Sequence, residues 1–203
     1  MARIRAVRCG PQLAARPDRN RRVEDEMAVG TIGNDTLNGT YWADRIYGGA
    51  GNDLINAGAG NDSLYGGSGR DAIYGGSGTD LLIGGTGLDV LFGGSGSDAF
   101  VFDSRPPGDG FSEADVVRDF TSQDLLAIDN AVFPNLTVEG WLPSTMFKSI
   151  GSDGVVDSND RLIYNERNGY LTYDWNGSAS GGRVLIAELD GAPTLTAADI
   201  YIL

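Results

Sequence analysis

From Gly30 to Val101 the sequence repeats every nine residues, eight times over, with no insertion. A stretch this rich in glycine would ordinarily read as a flexible linker, because glycine loses more conformational freedom on folding than any other residue. A linker has no reason to keep register, and this segment keeps it. Position six of the unit is Asp throughout: Asp35, Asp44, Asp53, Asp62, Asp71, Asp80, Asp89 and Asp98. Position eight is always a large apolar residue: Leu37, Ile46, Ile55, Leu64, Ile73, Leu82, Leu91 and Phe100. Position four is Gly in every unit but one, where Trp42 stands instead.

The first six residues of each unit suit a tight turn, since glycines at positions one, two and four reach positive φ freely. The last three suit a very short strand, with position eight on one side and positions seven and nine on the other. One inward aliphatic residue per nine cannot make a core, but stacked coils can, each side chain packing on those above and below. Two units per coil predict an all-β, right-handed parallel β-roll of about four 18-residue coils. Odd-unit aspartates then line one edge and even-unit aspartates the other, about 5 Å apart along the column at the backbone. Two bare carboxylates at that spacing repel by roughly 3 kcal/mol at an effective dielectric of ~20. Cations between them remove the penalty. Calcium fits best, as a hard ion that takes six to eight oxygens from carboxylates and main-chain carbonyls. Zinc would want His or Cys, and the repeats contain neither.

The pattern GGxGxDxUx, carried here by Gly66–Val101 and its upstream copies, resembles the calcium-binding nonapeptide repeat of RTX (repeats-in-toxin) proteins. The resemblance implies a Ca2+ ion between unit n and unit n+2, bridging their aspartates. Eight units then offer at most six inter-coil sites, of which four or five are expected to fill, fewer toward the N-terminus. The ligand set is Asp35, Asp53, Asp62, Asp71, Asp80, Asp89 and Asp98, with carbonyls from Gly49, Gly51, Gly58, Gly60, Gly67, Gly69, Gly76, Gly78, Gly85 and Gly87. Asp44 is the doubtful ligand, because Thr40, Tyr41, Trp42 and Ala43 replace the glycine turn before it.

Charge agrees with a chain built to be neutralised by cations. Seven of the 15 basic residues and four of the 28 acids lie in residues 1–26, which leaves eight basic and 24 acidic residues in 27–203, a net charge of −16. Such a balance repels nucleic acid and anionic membranes. No stretch reaches 18 apolar residues, so no transmembrane segment is expected. Residues 1–29 read as a basic, disordered leader without the apolar core of a secretory signal, Met27 being an alternative natural start. The one cysteine, Cys9, lies within it, so no disulfide framework exists.

Residues 102–203 are expected to form a small C-terminal β cap. The outward residues Leu81, Ile83, Val90, Phe92, Ala99 and Val101 need a cover, and the open end of the roll needs closing. Ala114–Asp129 reads as a strand, a polar turn and a second strand. Asp160–Ser178 reads as a hairpin with Arg-Asn-Gly in its turn, and Gly182–Gly191 as a further strand. These segments resemble the C-terminal part of secreted RTX proteins. The closing Asp199-Ile-Tyr-Ile-Leu203 resembles the uncleaved signal of type I export substrates and equally suits a terminal strand. Asp174-Trp-Asn176-Gly-Ser178 and Asp157-Ser-Asn159-Asp160 lack calcium-loop spacing and read as plain turns. Trp141, Trp175, Tyr170 and Tyr173 read as cap core in preference to a sugar-stacking platform.

The chain contains no histidine, which excludes HExxH zinc proteases, Ser-His-Asp triads and Cys-His pairs within these residues. A paired-carboxylate hydrolase needs only two acids, but calcium would occupy those of the repeats. The reading is therefore a non-catalytic calcium-binding module, secreted to the extracellular space through a bacterial type I ABC exporter, with an extracellular glycan or cell-surface partner. The alternative is a carbohydrate-binding module similar to the repeat modules of alginate-modifying enzymes, with a small hydrolase third.

Overall fold

The computed structural model describes residues 26–104, 114–151, 156, 158–176 and 182–203. Each repeat contributes one strand, and the strands alternate between two sheets. β1 (Glu26–Val29), β3 (Asp44–Ala50), β5 (Ser63–Gly69), β7 (Leu81–Gly87) and β9 (Ala99–Phe102) lie side by side in one. β2 (Thr36–Asn38), β4 (Leu54–Ala59), β6 (Ala72–Gly78) and β8 (Val90–Gly96) form the other. All pair in parallel with an 18-residue offset, as in Ile46↔Leu64 and Leu37↔Ile55. The molecule is an all-β parallel β-roll.

The roll is longer than the repeats. β10 (Asp115–Val117) adds to β8 and β11 (Leu125–Ile128) adds to β9, both in parallel. β16 (Arg183–Leu189) then pairs in parallel with β10, and β17 (Ile200–Ile202) with β11. The first sheet thus holds seven parallel strands where four coils were expected. The physical reason is an unbroken inward column. In one sheet Ala28, Ile46, Leu64, Leu82, Phe100, Leu126 and Ile200 stack in register; in the other Leu37, Ile55, Ile73, Leu91, Val117 and Leu189 do. From Ile46 onward every member of the first column is fully buried, as is every member of the second from Ile55 onward. Each buried aliphatic of this size contributes about 1.5–3 kcal/mol, so a post-repeat strand with one inward aliphatic joins the roll as well as a repeat does.

The same register reaches upstream. The last four residues of the expected leader form β1, with Glu26 opposite Asp44 and Ala28 opposite Ile46. Ala28 packs against the core and so holds the strand down without any glycine turn before it. Residues 1–25, including Cys9, lie outside the described residues.

The rest of the C-terminal part completes the sheets. β12 (Gly140–Trp141) runs antiparallel to β17, and β13 (Phe147–Ile150) runs parallel to β14 (Leu162–Asn165). β14 and β15 (Tyr170–Asp174) form the expected hairpin, and β15 pairs antiparallel with β16. On the outer faces, Tyr47 stacks on Tyr65 (4.6 Å between centroids) and Tyr74 on Phe92 (4.5 Å). In register these pairs are flanked by Val29 and Ile83 on one sheet and by Asn56 on the other, and Tyr74 stays exposed. Val101 is buried and Leu81, Ile83, Val90, Phe92 and Ala99 are half-buried, so the outward apolar residues are partly covered.

Candidate metal centre

The position-six aspartates form two hydrogen-bonded columns. The main-chain N–H of each donates to Oδ1 of the aspartate one coil on: Asp35 to Asp53, Asp53 to Asp71 and Asp71 to Asp89 on one edge, each at 2.8 Å. On the other edge Asp44 donates to Asp62 at 2.7 Å, Asp62 to Asp80 at 2.9 Å and Asp80 to Asp98 at 2.9 Å. One carboxylate oxygen is thereby fixed. The second is left over. Oδ2 of Asp53, Asp62, Asp71, Asp80, Asp89 and Asp98 is buried and has no hydrogen-bond partner. An ionised oxygen in that position costs several kcal/mol unless something compensates it.

The glycine turns show what could compensate it. Positions two and four take positive φ in the last six units, from Gly49 (φ 108°) and Gly51 (φ 114°) to Gly94 (φ 98°) and Gly96 (φ 134°). This conformation aims main-chain carbonyls into the gap between successive turns. A Cβ on Gly85 would collide with the Gly67 carbonyl, and one on Gly87 with the Gly69 carbonyl. A Cβ on Gly66 would collide with Asp71 Oδ2 and lie 2.6 Å from the Gly84 carbonyl. Glycine at position one therefore keeps open a space that a carboxylate and a carbonyl both face; before Asp62 the buried Ala57 stands at that position. Among the described residues no three acidic, His or Cys side chains converge. Each gap offers one free carboxylate oxygen and several carbonyls, a hard all-oxygen set that fits calcium and does not suit zinc.

Electrostatics point the same way. Burial is the main cause that lifts Asp80 and Asp89 to about 6, with neighbouring aspartates adding to it and the main-chain N–H of Asp62 or Asp71 opposing it. Asp62, Asp71 and Asp98 are raised for the same reasons. A divalent ion relieves both desolvation and repulsion at once.

The first coil is built differently. Asp44 is buried like its neighbours, but its Oδ2 accepts from the N–H (2.7 Å) and Oγ1 (3.0 Å) of Thr40. Asp35 is held identically, by the N–H (2.6 Å) and Oγ1 (2.8 Å) of Thr31. Trp42 had singled out Asp44 as doubtful, yet Asp35 shares its environment although Gly33 stands at position four. Neither Gly33 nor Trp42 takes positive φ. The residue common to both turns is threonine at position two, where the other six units have glycine. That signal lay in the sequence and was overlooked. A third threonine does the same beyond the repeats, Thr121 donating to Asp124 Oδ2 from its N–H (2.7 Å) and Oγ1 (3.0 Å).

The other candidates separate cleanly. Asp174 is fully buried, accepts from the N–H of Asn176, and has Oδ2 3.7 Å from Arg183 Nε, which makes a pinned turn. Asp157 and Ser178 lie outside the described residues. Tyr173 belongs to the core, edge-on to Phe133 at 5.2 Å, whereas Trp141 and Trp175 are exposed, contrary to the core reading for those two. Trp175 follows the last residue of β15 and Trp141 ends an edge strand, so neither faces an opposing layer.

The family comparison agrees with the site. The model of the RTX calcium-binding nonapeptide repeat (4 copies) matches residues 29–64, 43–73 and 74–104. No curated protein matches the chain. Among solved structures, the solution structure of the AlgE6R3 subunit from the Azotobacter vinelandii mannuronan C5-epimerase is similar at 26% identity, covering 89% of this chain and 84% of that chain, with a TM-score of 0.42. With its aspartate columns, glycine turns and matched repeats, the segment from residue 29 to residue 104 is a run of RTX-type calcium-binding nonapeptide repeats.

Proposed function

We propose that this chain is a non-catalytic module that stays unfolded at low calcium during type I export and folds outside the cell, where calcium fills the gaps between its turns. The observation that carries the reading is the set of buried Oδ2 atoms without partners. Within the repeats, four ions take the gaps at Asp53, Asp62, Asp71 and Asp80, each with carbonyls from the glycine turns. The gaps at Asp35 and Asp44 take none, because threonine already fills them.

Without calcium the columns repel and the glycine turns have little to hold them, so an exporter receives a threadable chain. Outside, sites of about 10⁻⁴–10⁻³ M affinity load at millimolar calcium, and their binding free energy becomes folding free energy. The Asp199–Leu203 segment, which β17 partly buries in the folded roll, is the segment proposed to engage the exporter before folding.

Circular dichroism during calcium titration of chelator-treated protein tests this. The β signal should rise cooperatively with calcium and not with magnesium. Full β structure in excess chelator would overturn it.

A further inference from the structure

The matched repeats end at residue 104, but the carboxylate columns do not. The N–H of Asp98 donates to Asp124 Oδ1 at 2.9 Å, and Leu125 pairs with Ala99. Asp124 therefore holds position six of a further turn, and counting back puts Asp119 at position one, where the repeats carry glycine. Asp98 is only 2% exposed and its Oδ2 has no partner.

In the coil before, a Cβ on Gly75 would lie 2.5 Å from Asp80 Oδ2 and 2.7 Å from the Gly93 carbonyl. The same atom on Gly93 would lie 2.5 Å from Asp98 Oδ2, but no carbonyl of the following coil comes closer than 2.9 Å. Asp119 stands there instead. Its Oδ1 accepts from the N–H of Gly93 and its Oδ2 from that of Gly94, both at 2.9 Å. Two carboxylates thus bracket Gly93.

We infer that Asp98 and Asp119 form a calcium site of their own, outside the repeat-to-repeat set, in which a carboxylate replaces the carbonyl that the next repeat would have supplied. The inference rests on the calcium reading above. Asp119 and Asp124 set like charges beside Asp98, a repulsion that a divalent ion in this gap removes. Thr121 occupies Asp124 Oδ2, so this column opens no gap beyond it. A hard cation with flexible oxygen coordination is the chemistry that fits.

The test counts calcium ions on the full chain, stripped with chelator and reloaded, by native mass spectrometry. Asp119→Asn should carry one ion fewer than wild type while reaching the wild-type circular dichroism spectrum at saturating calcium; the exposed control Glu139→Gln should lose none. An unchanged count for Asp119→Asn overturns the site. If Asp119→Asn does not fold, Asp119→Glu decides: one ion should bind several-fold more weakly in a stepwise titration, and an isotherm identical to wild type overturns it. A wild-type chain that binds no calcium at all would instead sink the proposed function.

Discussion

The turns before Asp44 and Asp62 sit one coil apart on the same edge and solve the same problem by different means. Both aspartates are buried. At Asp44 a threonine hydroxyl and amide occupy Oδ2; at Asp62 the buried oxygen is left without a partner. The first arrangement is complete without an ion, since hydrogen bonds to a charged group contribute about 1.5–3 kcal/mol each. The second is complete only with one. Threonine at position two and glycine at position two are thus alternative ways of finishing a rung, and the roll uses the self-sufficient kind at its first coil; beyond the repeats Thr121, three residues before Asp124, closes that rung in the same way.

The largest effect is expected where an open rung loses its carboxylate. Asp71→Ala removes the free oxygen of one gap and the acceptor for the Asp53 N–H in the adjacent one. Its calcium midpoint for folding should rise several-fold, with at least one ion lost by mass spectrometry. Asp35→Ala, at a threonine-closed rung, should leave the ion count unchanged and shift the midpoint little. Equal shifts for the two variants would break the comparison.

Acidity offers a second way in. Asp80 and Asp89 are raised to about 6 and Asp115 to about 8, mainly by burial and then by neighbouring aspartates, against an unfolded value of about 3.9. A raised folded pKa means that the folded chain holds protons the unfolded chain releases. In calcium-free buffer these groups therefore favour folding fully below about pH 4, and the contribution is lost as pH rises through 6 and, for Asp115, 8. Circular dichroism without calcium should show more β structure at pH 5 than at pH 7.5. With subsaturating calcium the slope should reverse, because protons compete with the ion. A metal-free signal flat across that range would contradict the burial of bare carboxylates.

The period of nine made most of this legible, and the limits of legibility have particular causes. Strand positions, the two columns and the inward aliphatics follow from register, because side-chain alternation and an 18-residue coil leave no freedom. The length of the roll did not follow. Asp115 and Asp124 lie 26 residues beyond Asp89 and Asp98 instead of 18, so a scan at fixed period passes over them although their Oδ1 atoms accept as the repeats do. Glu26–Val29 escaped notice because the strand keeps register with no glycine before it. At the first coil Trp42 drew attention by its bulk, while the deciding residue was the smaller Thr40. A large residue at position four changes shape; a hydroxyl at position two changes what the carboxylate needs.

Glycine replacement probes the turn geometry itself. Gly67 has φ 111°, and a Cβ there would collide with the Gly49 carbonyl. Gly67→Ala should destabilise the calcium-loaded protein by more than about 1 kcal/mol in thermal unfolding. Gly33 lies outside the left-handed region, and its nearest neighbour to an added Cβ is Thr31 Oγ1 at 4.0 Å. Gly33→Ala should stay within about 0.5 kcal/mol of wild type. A large loss at Gly33 would mean that the two kinds of turn share one geometry after all.

A gain of one ion is the smallest change in the metal count, and it tests the comparison most directly. Thr31→Gly turns Gly30-Thr-Ile-Gly-Asn-Asp35 into the full repeat pattern and removes the hydroxyl hydrogen bond to Asp35 Oδ2, leaving only the one from the main-chain N–H. Without calcium the first coil should weaken by about 1.5–3 kcal/mol, set by the one lost bond to a charged acceptor. With calcium the variant should carry one ion more than wild type, because an emptied rung then faces the Gly48 carbonyl as the inner rungs face theirs. Asp35 is less buried than its successors, so the added ion should bind more weakly than the rest and load last in a stepwise titration. An unchanged count would show that threonine is not what keeps calcium out of the first coil, and that glycine at position two is insufficient to admit it.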